Sequence, residues 1–290
     1  MRRGPSLFIK ALLAAGFRLL FRLPALRGTY FGFYQRVFAP WQLFDGVRKT
    51  VRYGPGLRLH LRLEDWIQQN IYFLGGYEEP GQRFLERYLR PGDVFIDVGA
   101  NIGLYALAAA RRVGPRGRVH AFEPVPDTAA RLRQHVALNE LANITVVEMA
   151  VSNAPGPVAI YLPPASNSGM ASLYAYTAEL HALATVSATT LDAYTAGWAA
   201  VRLVKLDIEG AEWQALQGMA RLLATQRPAL LLELEPGILA QMEHSAAGIA
   251  QWLAGFGYRP HYVQADGSLG THAAPATGFN NVVFLPPTGP

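Results

Sequence analysis

Three groups of acidic residues stand where short apolar runs of the chain end, and the first group is Asp97-x-Gly99-x-Asn101-x-Gly103. It begins near the end of the run Val94–Val98, whose length and β-branched residues are typical of a buried strand, and it precedes strong helix formers. A strand, a glycine turn and a helix form the start of a nucleotide-binding βαβ unit. Glycines let a ligand approach the backbone at the helix N-terminus, although an ordinary turn without a ligand has the same pattern.

The spacing of the glycines distinguishes between two kinds of cofactor. A dinucleotide fingerprint, G-x-G-x-x-G, that starts at Gly99 requires glycine at positions 101 and 104, where the chain has Asn101 and Leu104. The loop instead resembles motif I of class I S-adenosylmethionine (AdoMet) methyltransferases, which holds the methionine part of AdoMet. The acid at Asp97 suits the cationic α-amino group of AdoMet, whereas it would repel a pyrophosphate.

The second group is the single acid Glu123, which ends the next predicted strand about twenty residues beyond Gly103. A carboxylate at this place can accept hydrogen bonds from both ribose hydroxyls of an adenosine cofactor. The alternative is a solvated acid at a strand end. Glu123 does not by itself distinguish AdoMet from NAD.

The third group comprises Asp207, Glu209 and Glu212, which lie at and just beyond the end of the predicted strand Val201–Ile208. Asp207 and Glu209 are two residues apart, so in an extended chain both face the same side. Ligands of open α/β sheets bind at the carboxyl ends of the strands. Gly210 permits a sharp bend into a helix that begins near Glu212. The same acids also suit the positive end of that helix, and both roles are compatible.

Strands and helices alternate through the body of the chain, which predicts an open, mostly parallel sheet with helices on both faces. Helices are expected over residues 66–74, 80–89 and 127–141, the last with Asp127 as its N-cap. The segment 28–60 is rich in arginine and aromatic residues and has no clear assignment. The predicted strands are Val94–Val98, Arg118–Glu123, Ile144–Ala150, Val201–Ile208, Ala229–Leu234, Tyr258–Val263 and Asn281–Leu285, with a short extra strand at Val158–Leu162.

Composition sets further limits on function. With 290 residues, of which 51% are hydrophobic, the chain can form one large domain and an extension. It has no cysteine and no histidine spacing typical of a metal site, so we expect no zinc site and assign no metal-binding residue, while metal dependence stays open. The net charge of +5 is uneven: residues 1–63 carry twelve Lys or Arg and only the acid Asp45, whereas residues 64–290 have a net charge of −6.

The basic region begins with a predicted helix over residues 6–23, in which Lys10, Arg18 and Arg22 fall on one side. Three charges make a poor transmembrane span, and Lys10 and the lack of a cleavage site argue against a secretory signal. Three interpretations stay open: an interfacial membrane helix, a helix packed on the body, and a helix that binds a protein partner. We expect peripheral contact with an anionic membrane through residues 1–27 rather than binding to nucleic acid. The expected location is the cytoplasm, on the inner face of the membrane.

Several motifs in a fixed order resemble the FkbM family of methyltransferases over residues 76–286, leaving out the basic region. The resemblance implies AdoMet-dependent methylation of a hydroxyl, often on a sugar or a polyketide-like metabolite. It also implies a Rossmann-like seven-stranded sheet in the order 3-2-1-4-5-7-6 with the last strand antiparallel. We therefore expect an N-terminal extension over 1–75 and a methyltransferase domain over 76–290. The motifs are DVGANIG at 97–103, AFEP at 121–124, NSGMASL at 167–173, TLD at 190–192, KLDIEGAE at 205–212, LLELE at 231–235 and NVVF at 281–284.

The resemblance also assigns roles to residues. Asp97, Gly99, Asn101 and Gly103 match the loop on the methionine side, and Glu123 matches the acid that binds the ribose. Asp207 matches the strand-four acid beside the sulfonium and the acceptor. The adenine contact is expected just after the third strand, around Glu148–Ser152.

A sugar hydroxyl is a weak nucleophile, so a nearby base should remove its proton during attack. Asp207 and Glu209 are the candidates for this base, and His181 and His244 are weaker ones. Two other functions compete with methyl transfer. An NAD(P)-dependent sugar-modifying oxidoreductase or epimerase is opposed by the failed fingerprint and by the lack of a Tyr-x-x-x-Lys pair. The other competitor is a non-catalytic scaffold with a methyltransferase fold.

Overall fold

A computed structural model of the protein describes residues 6–162, 171–175, 181–270 and 280–287. Contacts divide the chain into two compact units, with the division between Glu78 and Glu79. We call residues 6–78 unit 1 and the described residues from Glu79 onward unit 2.

Unit 1 is built from short helices and one β-hairpin. Its helices are α1 (Leu7–Phe21), α2 (Pro24–Arg27), α3 (Tyr30–Phe33), a π-helical turn at Tyr34–Phe38, and α4 (Trp66–Leu74). The hairpin strands β1 (Arg48–Tyr53) and β2 (Leu57–Arg62) are antiparallel and lie in the segment that the sequence left unassigned. Each bears alternating residues, so that Val51, Tyr53, Leu57, Leu59 and Leu61 face the core and the intervening arginines face solvent.

The core of unit 1 is aromatic and includes one side of α1. Phe17 and Phe21 of α1 lie within about 6 Å, centroid to centroid, of rings from α3, the π-helical turn and Phe44. Phe21 also meets Phe73 of α4 at 5.9 Å with nearly perpendicular rings, a favourable arrangement for aromatic pairs. The predicted helix over 6–23 is therefore part of a folded core.

Unit 2 is organised around a sheet of eight strands in the order β12-β11-β13-β10-β9-β3-β4-β5. The five strands from β10 to β5 are parallel to one another, whereas β13 runs antiparallel to both of its neighbours. The count is eight rather than the expected seven because the two-residue strand β12 extends one edge. The strands are β3 (Val94–Val98), β4 (Arg118–Phe122), β5 (Ile144–Val147), β9 (Leu203–Leu206), β10 (Ala229–Leu234), β11 (Arg259–Val263), β12 (Leu269–Gly270) and β13 (Asn280–Leu285).

Helices cover both faces of this sheet, as predicted. Phe95 and Leu231 pack on one face with residues of α5, α6 and α7, while Ile96, Leu230 and Leu232 pack on the other with α9, α10 and α12. Because the central strands are buried on both sides, they read as continuous apolar runs. The helices of unit 2 are α5 (Glu79–Tyr88), α6 (Leu104–Val113), α7 (Pro126–Leu138), α8 (Leu191–Tyr194), α9 (Glu212–Gln217), α10 (Ala220–Thr225), α11 (Pro236–Gln241) and α12 (Ala246–Ala254).

Two details of the predicted elements are wrong. The predicted strand Ile144–Ala150 is two strands, since the chain leaves the large sheet after Val147 and Ala150–Val151 (β6) joins a second sheet. That sheet has the order β6-β8-β7 and contains the predicted extra strand as β7 (Gly156–Leu162), next to β8 (His181–Thr189). Asp127 is not a cap, because Val125 occupies the N-cap of α7 and Pro126 opens the helix, where a missing N–H costs nothing.

The two sides of α1 should respond differently to the loss of a phenylalanine. Phe21 is 1% exposed and Phe8 is 71% exposed. We expect Phe21→Ala to lower the free energy of unfolding by about 3–5 kcal/mol through lost burial and a cavity. The matched control Phe8→Ala should change it by less than about 0.5 kcal/mol. Chemical denaturation followed by circular dichroism measures both, and equal losses would contradict the packing of α1.

Candidate active site

The candidate site lies at the carboxyl ends of three adjacent strands, β9, β3 and β4. The backbone N–H groups of Gly99 and Ala100 both donate to the carbonyl of Phe122 at the end of β4, at 3.0 and 2.9 Å. The N–H of Asp207 donates to the carbonyl of Val98 at 3.1 Å. These bonds hold together the loops that carry Asp97, Glu123 and Asp207, one acid from each of the three groups in the sequence analysis.

The turn after β3 needs glycine at its first position. Gly99 has a φ of +81°, and a Cβ there would lie 1.9 Å from the backbone oxygen of Asp207. Gly103 has a φ of +96°, and its Cβ would lie 2.2 Å from the side chain of Leu132. Asn101, between them, has a φ of +49°, a conformation that asparagine tolerates better than most residues. The loop therefore keeps the backbone open where α6 begins, which suits close approach of a ligand.

Glu123 connects the loop to the second strand. Its Oε2 accepts from the N–H of Asn101 and its Oε1 from the N–H of Val125, both at 2.9 Å. Burial raises the pKa of Glu123 from its ordinary 4.5 to about 7, although these N–H groups and Arg131 act in the opposite direction. Each carboxylate oxygen can accept more than one hydrogen bond, so Glu123 can still receive the hydroxyls of a ribose.

Asp97 is buried, and neither of its carboxylate oxygens accepts a hydrogen bond of ordinary geometry within the part of the chain that the structure describes. Burial raises its pKa from 3.8 to about 6, the charge of Lys205 lowers it, Asp207 raises it, and the nearby N–H of Ala106 lowers it. An unpaired buried carboxylate is costly, and a cationic group placed beside it removes that cost. The α-amino group of AdoMet carries the positive charge and the N–H donors that can compensate the carboxylate of Asp97, so the site fits this cofactor.

Lys205 is a residue of the site to which the sequence analysis assigned no role. It pairs with Asp97 across the β3–β9 ladder and is only 3% exposed. Its Nζ donates to Oδ2 of Asp207 at 2.7 Å and lies 4.6 Å from the centre of the Tyr105 ring. This ammonium thus balances two carboxylates, those of Asp97 and Asp207. A lysine flanked by apolar residues in the middle of a predicted strand, at Leu203-Val204-Lys205-Leu206, was the signal that could have identified it.

The loop after β9 is fixed by Glu212, an acid of the third group, and by Ser172, which lies in the middle motif and to which the sequence analysis assigned no individual role. The buried carboxylate of Glu212 accepts from the N–H groups of Ile208 and Gly210 at 3.1 Å, and burial raises its pKa to about 7. Ser172 Oγ donates to the carbonyl of Glu209 at 2.7 Å. β9 ends at Leu206 and Glu209 has a φ of +50°, so the expected extended chain from Asp207 to Glu209 is wrong. Their spacing alone does not place both side chains on one side.

The remaining candidates are outside this group of contacts. Glu148 follows β5 and its Oε2 accepts from Arg133 Nη1 at 2.7 Å, while both side chains are partly exposed. Its proposed contact with adenine stays a prediction. The ring of His244 packs on Trp213 at 5.3 Å. The side chain of His181 and residues 167–170 of the middle motif lie outside the described residues.

Comparisons with known proteins agree with the geometry. The sequence pattern of the methyltransferase FkbM domain matches residues 97–260. The chain is 47% identical over 68 residues, 23% of its length, to 31-O-demethyl-FK506 methyltransferase FkbM of Streptomyces tacrolimicus, and 36% identical over 73 residues, 25% of its length, to protein-L-isoaspartate O-methyltransferase of Ignicoccus hospitalis. These matches cover 25% and 35% of the two relatives, so the chain spans only a fraction of their length.

A solved structure of an FkbM methyltransferase from Methylobacillus flagellatus KT is also similar. The likeness covers 75% of this chain and 52% of that one, with 15% identity and a TM-score of 0.46.

The contact between Gly99 and Asp207 predicts a large cost for a single methyl group. Gly99→Ala should lower the free energy of unfolding by more than about 3 kcal/mol, because it adds backbone overlap to the penalty for a left-handed alanine. Gly75→Ala is the matched control: Gly75 has a similar φ of +83° with nothing within 4 Å of its Cβ position, so it should cost only about 1–2 kcal/mol. Thermal and chemical denaturation measure both losses of unfolding free energy. Equal losses in Gly99→Ala and Gly75→Ala would contradict the close packing at Gly99.

The raised pKa of Glu123 predicts that protons affect folding and AdoMet binding in opposite directions. Its folded pKa lies above its unfolded value, so its contribution to the stability of the free protein is lost as pH rises through about 7. The ionised carboxylate is the better acceptor for ribose hydroxyls, so AdoMet should bind more tightly as pH rises from about 6 to about 8, with release of protons. Calorimetry in buffers of different ionisation enthalpy measures that release.

Glu123→Gln should reduce this pH dependence, leaving the part that comes from Asp97, and weaken AdoMet binding by about 1–3 kcal/mol. Glu140→Gln, at an exposed position, is the control and should change neither quantity. Unchanged affinity in Glu123→Gln would place the ribose elsewhere.

Proposed function

The chain belongs to the FkbM methyltransferase family, and from that premise we propose that this AdoMet-dependent methyltransferase methylates a hydroxyl oxygen of a sugar, a glycan or a secondary metabolite. AdoMet supplies a methyl group on a sulfonium. The chain would hold it through Asp97, the Gly99–Gly103 turn and Glu123. Transfer is an in-line displacement, so the protein contributes mainly alignment and the removal of a proton.

The observation that carries the proposal is the difference in burial between the acids of the site. Asp97 and Glu123 are buried, whereas the side chain of Asp207 is 22% exposed. Asp207 can therefore meet a substrate that arrives from solvent, while the two buried acids suit the cofactor. Lys205 holds one oxygen of Asp207 at 2.7 Å and leaves the other carboxylate oxygen for the acceptor. We assign Asp207 as the base that takes the hydroxyl proton, with Glu209 as the second candidate.

The charges of this loop favour a neutral acceptor. Asp207, Glu209 and Glu212 follow one another closely, and Lys205 is the cation beside Asp207. A carboxylate acceptor would be repelled by the acids, whereas a hydroxyl can donate its hydrogen to one of them. The names of the two curated relatives describe methyl transfer to oxygen. The relative named for isoaspartate nevertheless makes a protein carboxyl group the acceptor to test against a hydroxyl.

We also infer where the reaction takes place. Besides the acceptor, the enzyme contacts an anionic membrane through residues 1–27 and does not bind nucleic acid. It works on the cytoplasmic side of that membrane. The support is the excess of basic residues before residue 64, set against the acidic remainder. Among the described helices, none is long and apolar enough to cross a bilayer.

Asp207→Asn tests the assigned base. The amide keeps the shape of the side chain but cannot take a proton, so turnover should fall by about 100-fold or more while AdoMet binding is nearly kept. The measurement is transfer of an isotope-labelled methyl group to a panel of sugars, hydroxylated metabolites and isoaspartyl peptides, with calorimetry of AdoMet binding. Asp266→Asn, at an exposed acid, is the control.

Glu209→Gln, tested in the same way, distinguishes the two candidates. Near-normal turnover in Asp207→Asn would remove it from catalysis, and labelling of peptides alone would overturn the hydroxyl assignment. AdoMet binding without transfer to any acceptor supports the non-catalytic scaffold. Binding of NAD in place of AdoMet supports the oxidoreductase.

A further inference from the structure

Helix α1 has two apolar stripes on opposite sides. Both stripes have the i, i+4, i+7, i+11 spacing of one helical face. Apart from Lys10 at its start, the inner stripe is apolar and continues through Ala14, Phe17 and Phe21, of which Ala14 and Phe21 are fully buried in unit 1. The outer stripe is Phe8, Leu12, Ala15 and Leu19, all exposed. A helix that is apolar on opposite sides is expected inside a core or in contact with lipid, and here only the inner side is in a core.

The outer stripe is part of a concentration of exposed apolar side chains. Every large hydrophobic residue that is strongly exposed among the described residues lies between positions 7 and 41. Such residues are usually scattered singly over a surface, so their restriction to one short segment indicates a binding surface. They are Leu7, Phe8, Ile9, Leu12, Leu13, Leu19, Leu23, Phe31, Phe33 and Trp41, and we call them the exposed apolar set.

Contacts within unit 1 bring separate parts of this set together. Phe33 of α3 lies 5.7 Å from Phe17 of α1, ring centre to ring centre. Lys10 of α1 donates to the carbonyl of Gln42, next to Trp41, at 3.1 Å. Trp41 is 77% exposed and belongs to the residue type that prefers the boundary between lipid and water.

Two basic side chains of α1 make contacts within unit 1, so they are not available for the contact with lipid headgroups that the sequence suggested. Lys10 binds backbone oxygens of Gln42 and Asp45, and the guanidinium of Arg18 lies over the Tyr72 ring at 4.6 Å. These two cations therefore do not form a layer that faces headgroups. Arg22 and Arg36 are exposed instead and lie within or next to the segment that carries the exposed apolar set.

We infer that the exposed apolar set inserts into the interfacial region of an anionic membrane, with α1 lying flat on the bilayer. Leucines, aromatic rings and nearby arginines are the composition of interfacial helices, and Asp45 is the only acid before residue 64 to oppose anionic lipids. With 15 residues α1 is about 22 Å long, too short to cross a hydrocarbon core of about 30 Å. This inference rests on the proposed membrane location but not on the proposed reaction, which is measured separately.

Vesicle flotation of the full chain tests the inference. We expect flotation with vesicles of phosphatidylglycerol and phosphatidylcholine, and much less with phosphatidylcholine alone. The double variant Leu12→Glu/Leu19→Glu should lower the partition coefficient by at least about tenfold, since it places two charges on the inserted stripe. The control Gln241→Glu/Gln251→Glu adds the same charge at exposed positions of unit 2 and should float like the original chain.

A second measurement identifies the inserted residues. Lipids brominated on their acyl chains should quench the fluorescence of Trp41, and Trp41→Phe should remove most of that quenching. Flotation should also weaken when salt rises from about 0.1 M to about 1 M, because the Debye length falls from about 10 Å to about 3 Å.

Three outcomes would overturn the inference. The first is a full chain that stays with the protein fraction at every lipid composition. The second is flotation unaffected by Leu12→Glu/Leu19→Glu, which would place the contact elsewhere. The third is self-association without flotation that Leu12→Glu/Leu19→Glu abolishes in sedimentation velocity, which would make this surface an interface between two copies. Methyl transfer by the double variant in solution, measured in the same preparation, separates failure of this inference from failure of the proposed reaction.

Discussion

The candidate site depends on the close approach of two backbone segments, at Gly99 and at the carbonyl of Asp207. Without a side chain at position 99, the loop after β3 can lie against the loop after β9, and the bond from the Asp207 N–H to Val98 holds them together. Two further bonds to Phe122 attach the same turn to β4. Acids that are far apart in sequence therefore end at one edge of the sheet.

This edge concentrates carboxylates that water does not reach. Asp97, Glu123 and Glu212 are buried, and burial raises the pKa of each. They are held in different ways: Glu123 and Glu212 accept backbone N–H groups, whereas Asp97 faces the charge of Lys205. Burial disfavours the ionised form of all three, but the first two have hydrogen-bond partners in the free protein. A cationic ligand would therefore stabilise the ionised form of Asp97 more than that of the other two acids, so cofactor binding should affect the charge of Asp97 most.

The sequence predicted those residues of the site that are acidic and lie at the end of a recognisable strand. Asp97, Glu123 and Asp207 each follow an apolar run, and parallel strands bring such positions to one edge. The geometry between them could not be predicted, because it depends on backbone angles that the sequence leaves open. Glu209 adopts a left-handed conformation although it is not glycine, and this ends the extended chain that the acid spacing assumed. The pairing of Lys205 with Asp97 follows from strand register, which no local pattern specifies. The hairpin β1–β2 was missed although the sequence holds its signals: Gly54-Pro55-Gly56 marks the turn, and Leu57–Arg62 alternates apolar and polar residues.

The two-sided nature of α1 has a consequence for how this protein can change over evolution. Phe17 and Phe21 belong to the core of unit 1, while Phe8, Leu12 and Leu19 face outward from the same fifteen residues. Deleting the helix would remove aromatic rings from that core along with the outer surface. A lineage that no longer needs the outer surface therefore cannot discard it by shortening the chain. It can only lose it by substitution, one outward residue at a time, while the inward residues stay under selection for folding.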